Sequence, residues 1–107
     1  MPHYLLQAAY TPDACAAMIK SPQSREDAVR PVIEKLGGKI TALFFALGDY
    51  DTVALVEMPD NVSATAFSMA AAAAGGVKAV KTTPLMTAEE GLAAMRKAAD
   101  CGYRPPS

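Results

Sequence analysis

Apolar residues along the chain fall into short runs, and clusters of Gly, Pro and Asp separate them. His3 to Tyr10 (HYLLQAAY), Lys39 to Leu47 (KITALFFAL), Asp51 to Met58 (DTVALVEM) and Val77 to Leu85 (VKAVKTTPL) are short and rich in branched and aromatic residues, which predicts four strands. Gly48-Asp49-Tyr50 joins the second and third as an antiparallel hairpin. Pro84 marks the fourth as an edge strand or a strand exit.

Helical stretches lie between these runs. Thr11 is an N-cap with Pro12 at the first helical position and Asp13 in the first turn, where a negative charge suits the helix dipole. That helix reaches about Lys20, and Ser21-Pro22 interrupts it. Ser24 caps a second helix, Arg25 to Leu36, with Ala28, Val29, Val32, Ile33 and Leu36 at helical spacing. Pro31 must bend this helix or shift its start, and Gly37-Gly38 ends it. Val62 to Ala74 is a helix of very small residues, capped by Asp60 or Asn61, with Ala70, Ala71 and Ala74 expected to lie close to the sheet. Thr87-Ala88-Glu89-Glu90 is a capping-box signature, and the helix behind it places Leu92, Ala93, Met95 and Ala99 along one side. Met18, Met58, Met69, Met86 and Met95 are expected to fill the core.

The order β, broken α, β, β, α, β is an α+β, ferredoxin-like βαββαβ sandwich with an extra C-terminal helix. A chain of 107 residues fits one such domain. The core covers about residues 3–86, the last helix about 87–101, and 102–107 form a flexible tail.

Both faces of the strands are apolar. Val53 and Leu55 oppose Ala54 and Val56, and Leu5 opposes Tyr4 and Leu6. Ile40, Ala42, Phe44 and Ala46 are expected on one side of the second strand, with Leu43, Phe45 and Leu47 on the other. A sheet covered on one side only should alternate apolar with polar. The expectation is therefore a homo-oligomer joined through the sheet face, unless the last helix covers it.

Composition narrows the functional classes. The chain is 51% hydrophobic and 20% charged with net charge −1, which is globular and shows no basic stripe for nucleic acid. No apolar run approaches the length of a bilayer span, and no basic amphipathic helix suits a membrane surface. The N-terminus Met-Pro-His-Tyr lacks a signal-peptide pattern, so a cytoplasmic protein is expected. Cys15 and Cys101 are far apart in sequence and are expected to be free thiols.

The phrase Ala46-Leu47-Gly48-Asp49-Tyr50-Asp51-Thr52-Val53 lies between Leu36-Gly37-Gly38-Lys39 and Val56-Glu57-Met58-Pro59-Asp60. Over about residues 3 to 90 the chain resembles the GYD-domain family of small bacterial and archaeal proteins. The resemblance implies a ferredoxin-like domain similar to the dimeric α/β barrels. It implies no reaction, since related barrels include oxygenases, isomerases, decarboxylases and ligand binders.

Candidate chemistry is sparse. His3, the single histidine, is a candidate general base, and His3, Tyr50 and Asp51 are the catalytic candidates that would supply acid–base and hydrogen-bonding groups. Gly48, Tyr50 and Asp51 also read as a purely structural turn, with glycine at positive φ. Lys20, Arg25 and Arg30 bracket the Ser21-Pro22 break and, with Tyr50, are ligand-binding candidates, the basic three for an anion. Glu57 and Lys81 are strand residues that face each other or an interface. One histidine without clustered carboxylates or a CxxC pair argues against a metal site, and no cofactor is expected. Three functions fit: a small-molecule binding or accessory protein, a cofactor-independent oxygenase or isomerase acting on a small apolar or aromatic compound, and a structural module of a larger assembly.

Overall fold

A computed structural model describes residues 1–107. Strands β1 (His3–Tyr10), β2 (Lys39–Phe45), β3 (Thr52–Glu57) and β4 (Val77–Leu85) alternate with helices α1 (Pro12–Lys20), α2 (Arg25–Lys35), α3 (Asn61–Ala73) and α4 (Ala88–Asp100). The strands form one antiparallel sheet in the order β2-β3-β1-β4, the ferredoxin-like arrangement. β4 is an edge strand, and its Pro84 sits opposite Tyr4 of β1.

Local chemistry sets most boundaries. The Thr11 hydroxyl accepts the Ala14 N–H at 3.1 Å with Pro12 behind it. The Ser24 hydroxyl accepts the Asp27 N–H at 3.2 Å. Asp60 starts α3 by accepting the Ser63 N–H at 2.8 Å. At Thr87 both halves of a capping box are made: the hydroxyl accepts the Glu90 N–H, and the Glu90 carboxylate accepts the Thr87 N–H. α2 runs through Pro31, which neither ends it nor delays its start. Gly38 follows α2 so closely against β3 that a Cβ there would clash with the Glu57 carbonyl and the Met58 sulfur.

One face of the sheet is closed. Tyr4, Leu6, Ala54, Val56 and Met58 are buried with Ile33 of α2 and Ala64 of α3. The Tyr4 hydroxyl donates to the Asn61 side chain at the start of α3, which satisfies the one polar atom this ring brings inside. β2 differs from simple alternation. Its register shifts between Ile40 and Ala42, so Ile40 opposes Val56 and Leu43 opposes Ala54. Ile40 therefore packs on the core beside Leu43, while Ala42 and Phe44 lie opposite Leu55 and Val53.

α3 turns a different side to the sheet than its alanines suggest. Ala64, Phe67, Ser68 and Ala71 are buried or half-buried, while Ala70 and Ala74 are exposed. Val32 of α2 is exposed as well. Of the methionines, Met58 is buried and Met18 half-buried, whereas Met69, Met86 and Met95 are exposed and fill no core.

The other face is open. Apart from the small Ala9, no side chain of that face is buried; Leu55 is 39% and Phe44 64% exposed. α4 does not cover it. None of its residues is buried, and it packs substantially against no other element.

Candidate functional site

The closed side contains a cleft at the end of the sheet where β1 finishes and β3 begins. Alternation along β1 points Leu6, Ala8 and Tyr10 to the helices, and Thr52 and Ala54 of β3 lie opposite Ala8 and Leu6. Together with Val29 of α2, Phe67 and Ala71 of α3, and Val77 and Val80 of β4 they enclose a cavity of about 100 Å³. Beyond it, between α1 and α3, lies a second space of about 290 Å³. Tyr10, Arg25, Ala71 and Val77 line both, so the two form one continuous apolar cleft.

Polar groups in this cleft are few. The Tyr10 hydroxyl and the Thr52 hydroxyl are hydrogen-bonded at 2.7 Å on its wall. Arg25, the first residue of α2, lines both parts of the cleft; its Nε is buried and has no hydrogen-bond partner. It makes no ion pair, unlike Arg30, which meets Glu26 at 2.7 Å and Asp27 at 3.5 Å. The hydrogen bond to Glu26 raises the Arg30 pKa further above its ordinary value. The cleft lining includes no histidine, cysteine or carboxylate.

The Gly-Asp-Tyr-Asp turn stands beside this cleft as its frame. The Asp51 carboxylate accepts the Tyr10 N–H at 2.8 Å. Its backbone N–H donates to the Ala8 carbonyl, and its carbonyl accepts the Ala46 N–H, both at 2.8 Å. Asp51 thus ties the β2–β3 corner to the end of β1 and holds Tyr10 in place. Gly48 has φ +145°, a conformation that side chains rarely adopt. Tyr50 is half-buried, makes no side-chain hydrogen bond and lines neither part of the cleft.

The remaining candidates are dispersed. His3 lies at the opposite end of β1 from the residues that hold the turn, about 17 Å away at the usual strand rise. It is 3.9 Å from Glu57, which also meets Lys39 at 3.2 Å, so the partner of Glu57 is Lys39 and not Lys81. Lys81 sits opposite Gln7 and is exposed. Lys20 is exposed in the last turn of α1. The structure therefore brings Arg25 to a cleft with Tyr10 and Thr52, and does not bring His3, Tyr50 and Asp51 together. Tyr10 and Thr52 are not among the sequence candidates; alternation puts Tyr10 on the face of Tyr4, Leu6 and Ala8, and only the β1–β3 register brings Thr52 to it. Both cysteines are free thiols, no group of metal-ligating side chains is present, and no helix is long and apolar enough to cross a membrane.

These features define a small α+β, ferredoxin-like domain with one apolar cleft between sheet and helices. The chain belongs to the GYD domain family, whose sequence profile matches residues 4–95 and so continues into α4. No curated protein matches it.

Proposed function

We propose that this GYD domain binds a small apolar anion, such as a medium-chain carboxylate, in the cleft between sheet and helices. One observation carries the reading: Arg25 Nε is buried and unpartnered at the rim of a mostly apolar cavity. A buried donor without an acceptor costs about 1–3 kcal/mol. A carboxylate at that point would satisfy it, while the alkyl part would fill space lined by Leu6, Phe67 and Val80. The Tyr10 and Thr52 hydroxyls give a second polar contact. With no histidine, cysteine or carboxylate on the walls, the cleft offers hydrogen-bonding groups and lacks the usual general bases, which favours a binding protein over an oxygenase or isomerase.

Octanoate and octanol, titrated while amide NMR shifts are followed, test this. Octanoate should shift Tyr10, Arg25 and Val80. Arg25→Met should weaken octanoate at least tenfold, the worth of a charge-assisted hydrogen bond, and leave octanol unchanged. Octanoate binding that is absent, or indifferent to Arg25→Met, would refute the reading.

The same protein is proposed to act as a dimer through the open sheet face, in the manner of the dimeric α/β barrels. Exposed Phe44 and Leu55 beside half-buried Leu5 and Val53 support this. Sedimentation at micromolar concentration should give at least twice the 11.2 kDa chain mass; a clean monomer would sink it.

A further inference from the structure

α4 is a helix without a bed. Ala88, Leu92, Met95 and Ala99 recur at spacings of four, three and four, which places them on one stripe. Glu89, Glu90, Arg96 and Lys97 lie away from it. Leu92 is 45% and Met95 69% exposed, and Met86 just before the helix is exposed as well. A helix of 13 residues is marginal by itself in water and draws its stability from packing its apolar stripe. Its own domain does not supply that packing. The link from β4 is only Met86 and Thr87, and the capping box fixes Thr87, which leaves little slack for α4 to fold back.

The size of the exposed surface indicates what is missing. A closed monomer of 11.2 kDa has about 5,700 Å² of accessible surface, whereas this chain has 7575 Å². Its radius of gyration is 17.1 Å, against about 13 Å for a compact domain of this length. The surplus is about 1,900 Å² per chain relative to that scaling. If two such chains buried that surplus against each other, the area would lie in the range of obligate homodimers, roughly 2,000 Å² or more. One chain carries both an uncovered sheet face and an uncovered helix stripe, and under a two-fold axis whatever one α4 meets on its partner, the partner's α4 meets in return. Net charge −1 opposes such pairing hardly at all.

We infer that α4 is an exchanged arm: its Leu92–Met95 stripe packs on a second copy of this chain, at the margin of the sheet-to-sheet contact. The inference rests on the sheet-face dimer proposed above and adds a second, separable contact to it.

Full-length chains in natural-abundance and ¹⁵N-labelled forms are mixed, cross-linked through lysines and read by mass spectrometry. Lys97 of α4 should join Lys39 or Lys81 of the sheet in mixed-isotope pairs. The double variant Leu92→Glu/Met95→Glu should weaken self-association at least tenfold in sedimentation and lose those pairs. Val62→Glu, an exposed apolar position on α3, should leave both unchanged. Lys97 cross-links found only within one isotopic form would overturn the inference, as would a double variant that associates like the wild type. If Leu55→Glu breaks the dimer while the α4 variant does not, the arm fails and the sheet contact stands. A monomeric wild type refutes both.

Discussion

Alternate residues of the same strands meet opposite fates in this molecule. Leu6, Ala54 and Val56 are buried beneath α2 and α3, while their neighbours Leu5, Val53 and Leu55 face away from every helix. The side-chain chemistry on the two faces is nearly the same; the covering differs. Hydrophobicity along a strand therefore reports that both faces want to leave water, and it does not say what removes them. On one face the answer lies within the chain. On the other the chain supplies only α4, which stands off. The contrast extends to the helices: α3 lies along β4 with Ala64 buried, and α4, of equal length, buries nothing.

The closed face should be the sensitive one. Ile33 is fully buried among Val56, Met58 and Leu6 in the core cluster. Ile33→Ala should cost about 2–5 kcal/mol, read from denaturant midpoints at any protein concentration. Leu55→Thr on the open face should change the unfolding free energy of the isolated chain by less than about 0.5 kcal/mol. Any larger loss should appear only at concentrations where wild-type chains associate. Equal costs at the two sites, independent of concentration, would erase the distinction between the faces.

Local backbone chemistry made much of the fold legible. Thr11-Pro12, Ser24, Asp60 and the Thr87–Glu90 box cap the four helices as side-chain oxygens on nearby amides, a short-range effect that needs no tertiary context. Long-range geometry was not legible. The shift at Thr41 that moves Ile40 to the core side arises from pairing with β3, and nothing in KITALFF announces it. The last turns of α3, Met69 to Ala73, have no polar residue to mark their wet side, so Ala70 and Ala71 were indistinguishable until β4 chose between them. The methionines misled because Met69, Met86 and Met95 belong to surfaces this chain leaves open. At the site, Arg25 was visible as a basic residue beside the Ser21-Pro22 helix interruption. Its role depends on a cavity made by α2, α3 and two strands, and on Tyr10 being held by Asp51 from 41 residues away.

The corner between the faces should be intermediate. Gly48 holds φ +145° with open space where a Cβ would point, so the penalty of a side chain is conformational only. Gly48→Ala should destabilise by about 1 kcal/mol. Tyr50→Phe should leave stability and octanoate affinity unchanged, because the Tyr50 hydroxyl has no side-chain partner and the residue lines neither part of the cleft. A loss of octanoate affinity with Tyr50→Phe would return Tyr50 to the binding site.

Acid sharpens the contrast between the two helices with the smallest effect. Each begins with a carboxylate held below its ordinary pKa. Asp60 is lowered by its hydrogen bond from the Ser63 N–H, and Glu90 by its hydrogen bond from the Thr87 N–H, with smaller help from nearby His3 and the chain N-terminus. A carboxyl whose pKa is lower in the folded state adds stability above its unfolded pKa, and that stability is lost as pH falls through the folded value. Both caps should therefore weaken below about pH 4. α3 has β4 to hold it when its cap protonates; α4 in a dissociated chain has nothing. Amide exchange on a dilute sample should show α4 opening first on acidification, while α3 stays protected. Glu90→Gln keeps an acceptor for the Thr87 N–H and removes the titration, so this variant should open α4 no more at pH 3 than at pH 7. Opening of both helices together in the wild type would mean that α4 is held by more than its cap, and the molecule would then have one kind of helix instead of two.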